Sequence, residues 1–224
     1  MELLRPINEG LRVKVRNFAD LKSKKLMEDK LYEKVSSKFL NGKIPDIYVM
    51  SKSEVQKFPF DSEECFDRLY AVMSIFTPGY RSAEIRLNRK SWEKGNVGFF
   101  PFYDTDKKMS VFDLELHKIV DLRPLDNAET DRIVTFILNK IFEVDVFVVQ
   151  CEAGISRSGG VTAALLYWIY GDDSRVYGMD SSLYGFRQRS YQPNRWVYKK
   201  VLDMLESKRS LLHEGFWSVR YGLG

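Results

Sequence analysis

Cysteine and histidine are scarce in this chain. It has 2 cysteines, Cys65 and Cys151, and 2 histidines, His117 and His213. Two cysteines build no disulfide framework, and with two histidines they are too few for an expected structural zinc site. Neither histidine lies near a serine in an elbow motif, which argues against a Ser-His-Asp hydrolase. Long hydrophobic runs are also missing. The longest, residues 161–170, is about half of the ~20 residues that a bilayer span needs, so no membrane partner is expected. The N-terminal MELLRPINEG has no apolar core or cleavage site, and no secretory leader is expected. Together with the few thiols, this predicts a reducing, cytoplasmic setting. No internal repeat or low-complexity stretch is present, which excludes a collagen, a coiled-coil rod and a disordered chain.

What is present is an ordinary globular balance. The 224 residues are 44% hydrophobic and 29% charged, enough for one core at about 150 residues per domain. The net charge of +4 is unevenly placed: residues 1–44 hold 11 Lys and Arg against 6 Asp and Glu. Residues 1–43 read as a basic extension, mostly helical over 19–39, and residues 44–224 as the main domain. A solvated basic arm is the reading preferred here. Contact with nucleic acid is the lesser alternative, since no aromatic residues interleave the charges.

From residue 44 strands alternate with helices. Short strands are predicted at 47–50, 69–76 and 97–102, the second ending in the turn signal Thr77-Pro78-Gly79. A helix follows over 127–142. Asp126 and Glu129 fit a capping box, and Ile133, Ile137 and Ile141 make one apolar face. The run DVFVV at 145–149 reads as a buried central strand. Helices over 158–170 and 195–205 complete an α/β fold, a central, mainly parallel sheet with helices on both faces.

The stretch Gln150-Cys151-Glu152-Ala153-Gly154-Ile155-Ser156-Arg157-Ser158 passes from that strand through a short loop into a helix. Backbone N–H groups curling into a helix N-terminus form a nest for a tetrahedral anion, with the positive end of the macrodipole beneath it. Arg157 adds a planar clamp for two phosphate oxygens. Cys151, at the base of the nest, feels both, which favours thiolate over thiol and makes it an in-line nucleophile. Gly154 lets the backbone turn closely around the anion. The Ser158 hydroxyl can hydrogen-bond the sulfur and make it a better leaving group.

CEAGISRS resembles the Cys-x5-Arg-Ser/Thr loop of the cysteine-based protein tyrosine phosphatase superfamily, closest to its dual-specificity branch and small bacterial and phage-type relatives. The resemblance spans residues 45–206 and includes Gln192-Pro193-Asn194 before the closing helix. It implies that Cys151 attacks phosphorus to form a thiophosphate. The amides of Glu152, Ala153, Gly154, Ile155, Ser156 and Arg157, with the Arg157 side chain, would hold the equatorial oxygens. Ser158 would assist breakdown of the intermediate, and a carboxylic acid on another loop would protonate the leaving oxygen and then activate water. No metal or cofactor is implied. One departure is Gln150, where that family usually has histidine; glutamine hydrogen-bonds but carries no charge, which implies a different pH optimum or rate.

For the acid, Asp104 comes first after the strand ending in Phe99-Phe100-Pro101-Phe102-Tyr103, at the carboxyl edge where α/β sheets place their sites. Asp106 is the alternative; Asp113, Asp121 and Asp126 are weaker candidates. Phosphoinositide phosphatases of the superfamily tend to carry lysines in this loop, whereas Glu152 disfavours a polyphosphorylated ligand. The expected partner is therefore a phosphorylated protein, phosphotyrosine favoured. The rivals are a phosphate-binding pseudophosphatase and an RNA 5′-phosphatase using the basic N-terminus. Cys65 reads as a buried thiol rather than a redox partner of Cys151. Trp196 reads as core packing, while Tyr103, Tyr184 and Phe186 are even candidates for a substrate cleft. Arg187, Arg189 and Arg195 form a basic cluster open to acidic segments or to solvent.

Overall fold

The structure is a computed structural model and describes residues 4–8, 11–14, 45–171, 173 and 192–208. Its centre is a four-stranded sheet of β3 (Asp46–Ser51), β4 (Tyr70–Phe76), β5 (Val97–Pro101) and β8 (Val146–Cys151), in the order β3-β8-β4-β5 and parallel throughout. The α/β class expected from sequence is therefore the class observed. Central position explains the composition of β8: all six residues are buried, because neighbours on both edges and layers on both faces leave no solvent side.

Alternate strand residues feed two cores. Met73, Ile75, Phe147, Val149 and Cys151 face the larger one. It is closed by α3 (Asn127–Lys140), α4 (Arg157–Tyr170) and α5 (Arg195–Ser207). Ile133, Ile137 and Ile141 each have 0% exposure, so the four-residue spacing marked the buried stripe of α3. The other face departs from the expected second helical layer. It is covered by the short α1 (Lys52–Lys57) and irregular chain carrying Phe58, Phe60, Cys65, Ala83, Ile85 and Leu87. Aromatic bulk replaces a helix there: Phe60 lies 4.5 Å from Phe58 and 5.2 Å from Tyr70, ring centre to ring centre.

Half of the expected capping box at α3 is present. Asp126 Oδ1 accepts from the Glu129 N–H at 2.8 Å, but Glu129 Oε2 accepts from Arg132 at 2.7 Å instead of reaching back. Burial pushes the Glu129 carboxyl up in spite of that arginine. A full box stands at α1, where Ser51 Oγ accepts from Glu54 N–H and Glu54 Oε2 from Ser51 N–H.

Four elements were not anticipated: α1, α2 (Arg89–Glu93), and two antiparallel hairpins, β1 (Leu4–Asn8) with β2 (Leu11–Lys14), and β6 (Met109–Asp113) with β7 (Lys118–Leu122). The first hairpin lies in the extension expected to be helical; the helix expected over 19–39 is outside the described residues. Among the described residues, no helix is long and apolar enough to cross a membrane.

The start of α4 touches the start of α5 closely. A Cβ on Gly160 would stand 2.8 Å from the Asn194 carbonyl oxygen and 3.0 Å from Val197 Cβ, whereas one on Gly159 would meet Pro193 Cα at 3.5 Å. Gly160→Ala is therefore expected to lower stability by about 1–3 kcal/mol, the usual penalty for overpacking. Gly159→Ala should be neutral or stabilising by less than ~1 kcal/mol through helix propensity. Urea and thermal unfolding of the two variants check the difference.

Candidate active site

All four parallel strands end at the same edge, and their following loops meet there. Cys151 closes β8 and is 2% exposed; Arg157 opens α4 and is 4% exposed. Gly154, between them, has φ 68°, a left-handed conformation that strains any residue with a Cβ. Two of the loop's carbonyls are tied to neighbouring elements. Glu152 C=O accepts from Lys52 N–H at 3.2 Å, and Ser156 C=O accepts from Gly160 N–H at 2.8 Å and Asn194 N–H at 3.1 Å. The loop is thus clamped by the start of α1 on one side and of α5 on the other.

Ser158 Oγ lies 3.0 Å from Cys151 Sγ; toward a thiolate, the hydroxyl is the donor. The Arg157 guanidinium donates from Nη1 to Phe102 C=O at 2.9 Å and to Thr77 Oγ1 at 3.2 Å. These acceptors sit on the loops after β5 and β4. Its Nε is buried with no hydrogen-bond partner among the described residues. An unmet buried donor of this kind costs about 1–3 kcal/mol, which an anionic acceptor would recover.

Asp104 also reaches the loop. Its Oδ1 accepts from Ser156 Oγ at 2.8 Å and from Asn194 Nδ2 at 2.7 Å. Ser156 precedes α4 yet makes no side-chain cap to it, its backbone being helical (φ −94°, ψ −72°) rather than extended as a cap requires; its hydroxyl donates to Asp104 instead. Among the described residues the other aspartates weighed from sequence are not hydrogen-bonded to the loop, although Asp121 and Asp126 line the cleft at Tyr103. Asp106 is exposed, Asp121 accepts from Ser110 Oγ at 2.7 Å, and Asp126 caps α3. Asp113 belongs to the β6–β7 turn, where it accepts from the N–H groups of Glu115 and Leu116.

Gln150 is buried and accepts from Ser74 Oγ at 2.7 Å, a neutral pair next to Cys151. Glu152 is exposed, 3.6 Å from Lys52 Nζ. Cys65 is buried in the core on the opposite face of the sheet from Cys151. Trp196 packs against the larger core and donates from Nε1 to Leu125 C=O at 3.2 Å. Tyr103 lines a cleft of about 390 Å³ beside the Asp104 loop, with Pro78, Phe102, Arg123 and Arg132. Arg195 is exposed at the start of α5. Tyr184, Phe186, Arg187, Arg189 and His213 are outside the described residues. No group of three or more His, Cys, Asp or Glu side chains among the described residues is placed to hold a metal ion.

Sequence reasoning missed Thr77 and Phe102 as partners of Arg157, and Asn194 as a partner of Asp104. Thr77 was visible only as a turn residue. The Phe102 contribution is a backbone carbonyl and left no signal. Asn194 was noted only as part of a motif.

No protein-family model matches the chain, and no curated protein matches it. Seven chains of solved structures are similar to it, among them the following two. That of PTPMT1 in complex with PI(5)P shares 14% identity over 74% of this chain and 93% of that one, with a TM-score of 0.39. That of Tk-PTP in the active form shares 19% identity over 72% and 90%, with a TM-score of 0.37. The α/β class rests on the sheet and helices described above. The signature loop is what resembles the cysteine-based protein tyrosine phosphatases.

The loop that supplies Thr77 is itself anchored. Tyr80 donates its hydroxyl to both carboxylate oxygens of Asp113, 2.8 Å each. That hydrogen bond pushes the Tyr80 phenol up to about 12 from its ordinary 10.0. The Asp113 carboxyl is held below its ordinary 3.8 by the Leu116 N–H and then by Tyr80. The contribution of Tyr80 is thus complete below pH 10.0 and lost as pH rises through about 12. That of Asp113 is present above its ordinary value and lost as pH falls through the lowered one. In an ultraviolet titration, the transition missing from Tyr80→Phe should lie near 12 in the wild type and move down in Asp113→Asn.

Proposed function

We propose that this chain hydrolyses phosphomonoesters through a cysteinyl-phosphate on Cys151, as a protein tyrosine or dual-specificity phosphatase. One observation carries the reading: a single loop at the sheet's carboxyl edge joins a nucleophile to a buried guanidinium with a free Nε, and Ser158 Oγ stands 3.0 Å from the sulfur. The Cys151 thiolate attacks phosphorus in line as the ester P–O bond breaks, and a protonated Asp104 gives its proton to the leaving oxygen. Water then attacks the thiophosphate while the Asp104 carboxylate takes its proton. The S–P bond breaks, inorganic phosphate leaves, and the thiolate returns, its charge met by the Ser158 hydroxyl. Arg157 and the loop amides from Glu152 to Arg157 hold the equatorial oxygens through both steps.

Asp104 is preferred to Asp106 because Asp104 is tied to the loop through Ser156. The exposed Glu152, paired with Lys52, gives the rim mixed charge, which suits one phosphoryl group on a protein better than a polyanion. Phosphotyrosine is the favoured substrate and no cofactor enters. The setting is cytoplasmic, with residues 1–43 a basic N-terminal extension of the domain 44–224.

The test is hydrolysis of p-nitrophenyl phosphate with chelator and reductant present. Turnover should persist in the wild type and vanish in Cys151→Ser. No turnover from folded wild type between about pH 5 and 8, the range in which such groups are titrated, would leave a phosphate-binding module instead. Asp104→Asn should lower kcat by about 10²-fold or more on phenyl phosphate, the general-acid contribution, and much less on an activated aryl ester. If Asp106→Asn shows that pattern and Asp104→Asn does not, the acid is Asp106.

A further inference from the structure

We propose that Asn194 is a positioning residue for the Asp104 carboxyl group, an inference that rests on the phosphatase reading above. Asn194 is the N-cap of α5, and its Oδ1 accepts from the N–H groups of Trp196 and Val197 at 3.0 Å each. Those two donors fix which way the amide faces, so its Nδ2 is turned outward. There it donates to Asp104 Oδ1 at 2.7 Å. The Asn194 backbone N–H meanwhile donates to Ser156 C=O, and Ser156 Oγ donates to the same Asp104 oxygen. One residue therefore joins the closing helix, the phosphate loop and the acid loop.

The chemical consequence concerns the two oxygens of Asp104. Oδ1 accepts two hydrogen bonds, from residues 52 and 90 positions away. A proton cannot sit there without displacing one of them. The transferable proton is therefore assigned to Oδ2, and the carboxyl is held against rotation although Asp104 is exposed. Orientation of this kind is what general-acid catalysis requires.

Only a carboxamide does both tasks at this reach. Aspartate at 194 would still cap the helix, but it would face Asp104 Oδ1 with an acceptor instead of a donor. Serine would also cap, with a side chain too short to reach across. The glycine at 160 is part of the same device, since a Cβ there would meet the Asn194 carbonyl oxygen at 2.8 Å.

The experiment compares Asn194→Asp and Asn194→Ser with wild type on phenyl phosphate and p-nitrophenyl phosphate. Both variants keep an N-cap residue, so the thermal midpoint should change little in Asn194→Ser and fall in Asn194→Asp only by the repulsion from Asp104. Expected is a fall in kcat of roughly tenfold on phenyl phosphate, a part of the general-acid contribution, with less than about twofold on the activated ester. In an Asp104→Asn background, the same substitutions should add less than about twofold. Equal losses on both esters, or an undiminished loss in the Asp104→Asn background, would overturn the proposal and leave a capping role alone. Turnover that survives in Cys151→Ser would sink the phosphatase reading itself. A readout that needs no turnover is amide hydrogen exchange of residues 103–107, which should quicken in Asn194→Ser. Unchanged exchange would overturn the positioning contact whatever the activity.

Discussion

The buried guanidinium of Arg157 is the constraint around which this edge of the molecule is organised. A charge taken out of water must be hydrogen-bonded, and Arg157 finds its acceptors on two other loops, at Thr77 and at the Phe102 carbonyl. Those contacts hold the loops after β4 and β5 against the loop after β8. The position of Asp104, two residues beyond Phe102, follows from this. Farther out, the Tyr80–Asp113 pair docks the β6–β7 turn on the loop that supplies Thr77.

The second support comes from the helices. Gly160 allows the turn at Pro193 and Asn194 to lie against the start of α4, so that Ser156 C=O receives the Asn194 N–H. The loop from Cys151 to Ser158 is then held from the α1 side through Glu152 and from the α5 side through Ser156. A loop held at both shoulders has little freedom to change its geometry, and little would be lost in ordering it.

Much of the fold could be read from residue patterns because those patterns reflect local burial. The apolar run in β8, the isoleucine stripe of α3 and the Pro-Asn turn before α5 each lie in one continuous segment. The capping box at Ser51 and Glu54 was legible by the same rule applied at Asp126, and went unread. The β6–β7 hairpin escaped for another reason. Its alternation is weak, with Phe112, Leu114 and Ile119 exposed, so no apolar face marked it as strand. The far face of the sheet escaped because irregular chain carrying Phe58 and Phe60 has no period to detect.

By itself the sequence determined the α/β class, the central strand, and the loop from Cys151 to Ser158, because those depend on residues that are neighbours in the chain. The folded chain decided what meets that loop: Thr77 and the Phe102 carbonyl on Arg157, and Asp104 and Asn194 on either side of Ser156. Thr77, Phe102 and Asp104 lie 52 to 80 positions from their partners in the loop, Asn194 and Asp104 are 90 apart, and one of the contacts is a backbone carbonyl that any residue could have supplied. Such pairings follow from strand order and the register of a parallel sheet, which brings distant strand ends to one edge, and no local pattern records them.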